Sequence, residues 1–138
     1  MRTPPSATLD TNVIIFSFLN AGKSREIIDL AARRKILVFS LPQLEEELIK
    51  TLRGKLKYSA EELSQALITF KEIVHKIVYP KNKLNVVTQD ETDNRIIEAA
   101  VEGKVKFIIS GDRHLLRLGK FRNIKILDPS EFLHRYQD

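Results

Sequence analysis

The chain of 138 residues contains no cysteine and no tryptophan, a single methionine and only five glycines. Without cysteine there can be no disulfide, no thiolate nucleophile and no cysteine-ligated zinc, and a reducing cytoplasm is the natural setting. Five scattered glycines are too few to cradle a nucleotide, and no Walker loop, G-x-G-x-x-G or G-x-S-x-G stretch occurs. With three tyrosines and no tryptophan, an aromatic base-stacking platform is not expected. The three histidines, His75, His114 and His134, are far apart and form no zinc spacing. The longest apolar stretches, such as "VIIF" and "FII", are far too short to span a bilayer. "MRTPPSA" lacks the apolar segment of a signal peptide. A soluble, cytoplasmic protein with no membrane contact is the expectation.

What is present points to one folded domain over residues 1–138, because 43% hydrophobic content at this length supports one substantial core. Lysine and arginine number 23 against 18 acids, a net charge of +5, which suits a polyanionic partner without requiring one. Residues 7–9 read as a short strand and "TNVIIFSFLN" as a helix-like stretch. Ser24 is placed to cap "REIIDLAARR". "KILVFS" (35–40) is a buried strand, followed by a helix with Leu41, Leu44, Leu48 and Leu52 on one side. Ser59 opens the next helix with a capping box to Glu62. "VHKIVY" (74–79) predicts a strand, and "KNKLNVV" a loop with a strand end at Val86-Val87. "DETDNRIIEAAVEG" predicts a helix, "VKFIIS" a strand, "DRHLLRLG" a short helix, "IKIL" a strand and "DPSEFLHRYQ" a terminal helix. Apolar strands alternating with amphipathic helices predict an α/β fold around a mostly parallel central sheet.

In such a sheet ligands bind beyond the carboxyl ends of the strands. Asp10 and Asp112 stand at two of those ends, the helix opening at Asp90 and Asp93 can reach the same edge, and the helix carrying Glu47 begins there. Each acid singly has an ordinary explanation as a helix cap or a solvated charge. Together they form a costly set, since two like charges 4 Å apart repel by roughly 4 kcal/mol at an effective dielectric of 20. A divalent cation resolves that repulsion, and Mg²⁺ or Mn²⁺ prefers such hard oxygen ligands. Cations held this way activate water and stabilise displacement at a phosphodiester.

The stretches "LDTNVII" (9–15), "LEEELIKTL" (44–52), "DETDNRIIEAA" (90–100) and "FIISGDRHLLRL" (107–118), closed by "IKILDPSEFL" (124–133), resemble the PIN-domain family. The branch they are most similar to groups with the toxin components of toxin–antitoxin pairs (VapC-like). The resemblance implies a three-layer α/β/α fold of flavodoxin-like topology and a Mg²⁺- or Mn²⁺-dependent ribonuclease. It implies Asp10, Asp93 and Asp112 as metal-holding catalytic acids, with Glu47 as the second acid of the set and Glu46 as the alternative to it. Asp90 matches a further acid of the branch, and Asn12 and Ser110 stand where the family has polar residues that bond the acids or metal-bound water. "SGD" replaces the commoner "TGD" and keeps the hydroxyl. Arg53, Lys55 and Lys57 after the Glu47 helix, with Arg113 and Arg117 after Asp112, are candidates for gripping RNA phosphates. The toxin likeness implies a small antitoxin partner, and homodimers are common in the family. The competing expectation is a PIN-like module that binds RNA or protein without cutting. A receiver-type phosphoacceptor domain is disfavoured, because the first strand supplies one acid rather than a pair.

Overall fold

The computed structural model describes residues 3–87 and 91–136. Strand β1 (Ser6–Leu9) leads into helix α1 (Thr11–Leu19), and α2 (Lys23–Ala32) returns the chain to β2 (Leu37–Ser40). Helices α3 (Pro42–Gly54) and α4 (Ala60–Ile73) follow, and β3 (Val74–Ile77) continues directly from α4. Then come α5 (Glu91–Gly103), β4 (Phe107–Ile109), α6 (Arg113–Leu118), β5 (Lys120–Phe121), β6 (Ile124–Leu127) and α7 (Pro129–Arg135). The sheet order is β3-β2-β1-β4-β6-β5, parallel throughout except for the short antiparallel β5. From β1 the chain first builds outward to β3 and then crosses to build β4 and β6 on the other side. The order therefore reverses between β1 and β4, which opens a crevice at their carboxyl ends.

Two apolar clusters cover the two faces of the sheet, in keeping with the three layers that the family resemblance implies. On one face Ala7, Leu9, Val38 and Ile109 meet apolar residues of α1, α2, α4 and α7. On the other, Ile108, Ile124 and Ile126 meet Ile96, Ile97, Ala99 and Ala100 of α5 and Leu115 of α6. Neighbouring Ile108 and Ile109 go to opposite faces because side chains alternate along a strand. Helix α3 lends Leu44 to one cluster and Leu48 and Leu52 to the other. No helix among the described residues is long and apolar enough to cross a membrane.

The predicted capping box is formed in full: Ser59 accepts from the Glu62 N–H at 3.1 Å while Glu62 accepts from the Ser59 N–H at 2.8 Å. Three local expectations are corrected, and one short strand, β5, was not anticipated. Ser24 lies inside α2, whose N-cap is Gly22 with no side-chain bond. Strand β5 is too short, at two residues, to leave a periodic signal in the sequence. Strand β3 ends at Ile77, two residues before Tyr79. Val86 and Val87 form no strand. Their N–H groups donate to Asn94 Oδ1 at 3.0 and 2.8 Å, so a side-chain amide replaces the ladder. Asp90, expected as the cap of α5, lies outside the described residues.

Candidate functional site

The carboxyl ends of β1 and β4 are in register, Leu9 opposite Ile109, so the next residue of each strand emerges at the same place. The Asp10 N–H extends the ladder by donating to the Ile109 carbonyl at 2.9 Å, and the Ser110 N–H donates to the Leu127 carbonyl at 3.0 Å. Asp10 and Ser110 are thus fixed at the level of the main chain, and both are buried. The Ser110 hydroxyl donates to Asp10 Oδ2 at 2.6 Å and accepts from the Asp112 N–H at 2.9 Å. Because Oγ already accepts the amide proton, its own proton must go to the carboxylate, and a short charge-assisted bond results. One serine hydroxyl therefore couples the ends of β1 and β4.

Both acids also serve as helix caps, the ordinary role considered above. Asp10 Oδ1 accepts from the Asn12 N–H at 3.2 Å at the start of α1. Asp112 Oδ1 accepts from the His114 N–H at 2.7 Å and the Leu115 N–H at 3.4 Å at the start of α6. Asn12 contributes by its backbone, and its side chain is exposed along a 500 Å³ cleft that also includes Gly111 and Asp128. Capping and ligand binding are compatible, since a cap uses only one carboxylate oxygen.

Asp93 lies in the first turn of α5 and is only 3% exposed, an unusual burial for an aspartate. Helix α5 packs on β1, β2 and β4, which sets its first turn over the central strands. Glu47 is half-buried on α3 and Glu46 is exposed. Both line a cleft of about 350 Å³ that has Glu91, Thr92 and Arg95 of α5 on its other wall. The second-acid candidates and the start of α5 are in this way brought together. Arg113 opens α6 immediately after Asp112 and is exposed, as is Arg117 one turn on. Arg53 in the last turn of α3 and Lys55 and Lys57 beyond it are exposed, roughly 9 Å or more along the helix axis from Glu47.

Three features of the region escaped sequence reasoning. Buried Asn94 ties the chain before α5 to that helix, with its Nδ2 also donating to the Val87 carbonyl at 2.7 Å. Buried Glu98 accepts from the Leu84 N–H at 2.8 Å and from Arg95 at 2.8 Å, clamping the same segment. A polar residue on the inward face of an amphipathic helix was the available signal for both. Thr11, next to Asp10, is buried with its hydroxyl lacking a hydrogen-bond partner among the described residues.

Whether these residues suit a divalent cation can be judged from the donor set. Among the described residues, no group of three or more His, Asp or Glu is close enough to form a complete protein cage. Mg²⁺ does not require one. It is commonly held through one or two carboxylates with water and phosphate oxygens filling the shell. The Ser110 hydroxyl joins the Asp10 carboxylate to the Asp112 main-chain N–H, and each aspartate keeps an oxygen outside its cap, donors of the hard-oxygen kind that suits the ion.

A mostly parallel sheet whose strand order reverses beside two coupled aspartates defines an α/β domain with an acidic carboxyl-edge crevice. The family model described as the PIN domain matches residues 6–114, and the chain belongs to that family. PIN domains are generally nuclease-like and generally use divalent metal ions. The match contains Asp10, Glu47, Asp93 and Asp112, whereas β6 and α7 lie beyond it. No curated protein matches the sequence.

Proposed function

We propose that the protein is a Mg²⁺- or Mn²⁺-dependent ribonuclease and the toxin of a toxin–antitoxin pair. The observation that carries the nuclease reading is the Asp10–Ser110–Asp112 linkage at the carboxyl ends of β1 and β4. Asp10 and Asp112 would hold the cation through the oxygens not used for capping, with Asp93 a third acid, directly or through water. Glu47, with Glu46 as the alternative, would complete the shell from the α3 side. Asn12 and Asp90 are assigned auxiliary roles. A cation held there would activate a water and offset the charge that develops at the phosphodiester. Ser110 keeps the Asp10 carboxylate oriented by donating to it, and the α6 N–H groups do the same for Asp112. Arg113 and Arg117 are suited to holding substrate phosphates, with Arg53, Lys55 and Lys57 touching RNA only where it runs further along α3.

The toxin assignment rests on the likeness of the motifs to the VapC-like branch, and it brings with it an antitoxin partner and a cytoplasmic setting. Exposed Phe16 and Leu19 on α1 and Ile68 on α4 are compatible with a protein partner or a homodimer. A second reading is a PIN-like module that binds RNA or protein without cutting, for which exposed Phe16, Leu19 and Ile68 offer a protein-facing surface.

Cleavage of mixed-sequence single-stranded RNA with Mg²⁺, with Mn²⁺ and with EDTA separates the two. Wild type is expected to cut only with metal, and Asp112→Asn to lose about a hundredfold or more in rate, as for removal of a transition-state charge stabiliser. RNA left intact by folded, metal-supplied wild type favours the binding module. Equal cutting by wild type and variant returns Asp112 to the role of a helix cap.

A further inference from the structure

The strongest unassigned feature lies at the opposite edge of the sheet from the acids. Two cavities open there, of about 670 and 700 Å³, and both include Lys106 and Phe107, so they adjoin. The first is lined by Arg33, Arg34, Lys35 and Arg135, and the second by Lys104, Arg122 and Lys125. Among the described residues, no aspartate or glutamate lines either one. Eight cations thus share a continuous concave strip in a chain whose net charge is +5.

Backbone geometry adds an independent observation. Among the described residues, four other than glycine have positive φ, and Arg34, Lys104 and Arg122, at 57°, 53° and 55°, all belong to this strip. Arg34 and Lys104 end α2 and α5 in left-handed turns: the next residues, Lys35 and Val105, donate back to Leu30 and Ala100 at 2.9 and 3.1 Å. Glycine or asparagine is the unstrained choice at such positions. A long cation stands at each instead, at a conformational cost that a ligand-binding role would explain. Attraction to helix C-terminal dipoles accounts for part of the pattern, notably Arg33, Arg34 and Lys104. It does not account for Lys106 before β4, Arg122 in the β5–β6 turn or Lys125 within β6, all exposed.

We propose that this amino-edge trough binds the phosphate backbone of single-stranded RNA and holds the substrate at a second place remote from the acids. The choice of RNA rests on the ribonuclease reading. The cations extend across β2, β1, β4 and β6, three interstrand steps or about 14 Å, which suits a run of several phosphates. Concavity favours an inserted strand over a flat membrane surface. Holding RNA at both edges would raise its effective concentration at the acidic crevice without adding contacts there.

The test is equilibrium binding of labelled mixed-sequence single-stranded RNA in EDTA across a salt series, with a Lys106→Gln/Arg122→Gln/Lys125→Gln variant. A Lys71→Gln/Lys81→Gln/Lys83→Gln variant, changed at exposed sites elsewhere, loses the same charge. Circular dichroism establishes that both fold. Three lost phosphate contacts should flatten the slope of log K against log salt by about 2 for the trough variant. The control slope should stay near wild type. Equal slopes for the two variants, or a trough variant that binds like wild type, overturn the proposal. So does trough-dependent binding to phosphatidylserine vesicles in place of RNA. Because cutting is blocked in EDTA, trough-dependent binding by a protein that never cuts RNA would uphold this inference while removing the nuclease reading. Normal cutting with unaltered binding by the trough variant would do the reverse.

Discussion

His75 shows how one side chain can repair a main-chain irregularity. Between β2 and β3, Val38 pairs with Val74 and Phe39 with Lys76, so His75 is the extra residue of a bulge. Its Nδ1 accepts the Val38 N–H at 2.9 Å, a bond only the neutral ring can accept with that nitrogen. Burial lowers the His75 pKa below its usual value and the nearby Arg34 charge lowers it further, against an opposing effect of the Ala31 carbonyl. With the folded pKa below the unfolded value of about 6.5, the contribution to stability is complete above pH 6.5. It is lost as pH falls through the folded value. Urea unfolding of wild type should show a lower midpoint at pH 5.5 than at pH 7.5, and His75→Asn should show a much smaller difference. Equal differences in the two proteins would exonerate His75. Nothing in the sequence marked this histidine beyond its distance from the other two, because its partner is 37 residues away.

Helix α5 illustrates how a local pattern and its packing separate. Its apolar period was readable, and Gly103 was expected to close it. What periodicity could not reveal is why that residue has no side chain: a Cβ there would lie 2.6 Å from Cδ2 of Phe39 on β2. Gly103→Ala should therefore destabilise by about 1–3 kcal/mol through overpacking, despite alanine's better helix propensity. At Gly54, the last residue of α3, a Cβ meets nothing within 4 Å, and Gly54→Ala should be neutral or stabilise by about 0.4–1 kcal/mol. Paired thermal melts check the contrast, and a similar response at both positions would contradict it. On α3 the three adjacent glutamates were indistinguishable by composition. In the fold, Glu46 and Glu47, the two candidates of the family resemblance, line the cleft against α5.

Taken whole, the molecule is electrically polar along its strands, with coupled aspartates at one end of the sheet and clustered cations at the other. If the acidic end holds a cation, Mg²⁺ or Mn²⁺ at 100 times its Kd should raise unfolding free energy by about 2.7 kcal/mol. Asp112→Asn keeps a competent helix cap, so it should remove most of that gain without losing α6. Melting temperatures with and without the ion measure it, and identical values for wild type would count against a cation at this edge.

Short apolar strands, amphipathic helices and aspartates at strand ends were determined by the sequence itself, because they rest on periodicity and on residues adjacent in the chain. Those signals were enough for the fold class and for Asp10 and Asp112 as the acids to watch. Tertiary structure alone decided that Ser110 joins the two across 100 residues, that Asn94 and Glu98 clamp the chain before α5, and that cations from three connections, from β6 and from the end of α7 meet at the amino edge. Such groupings depend on strand order and register, which are set by the burial of both sheet faces at once. No window of sequence contains both partners.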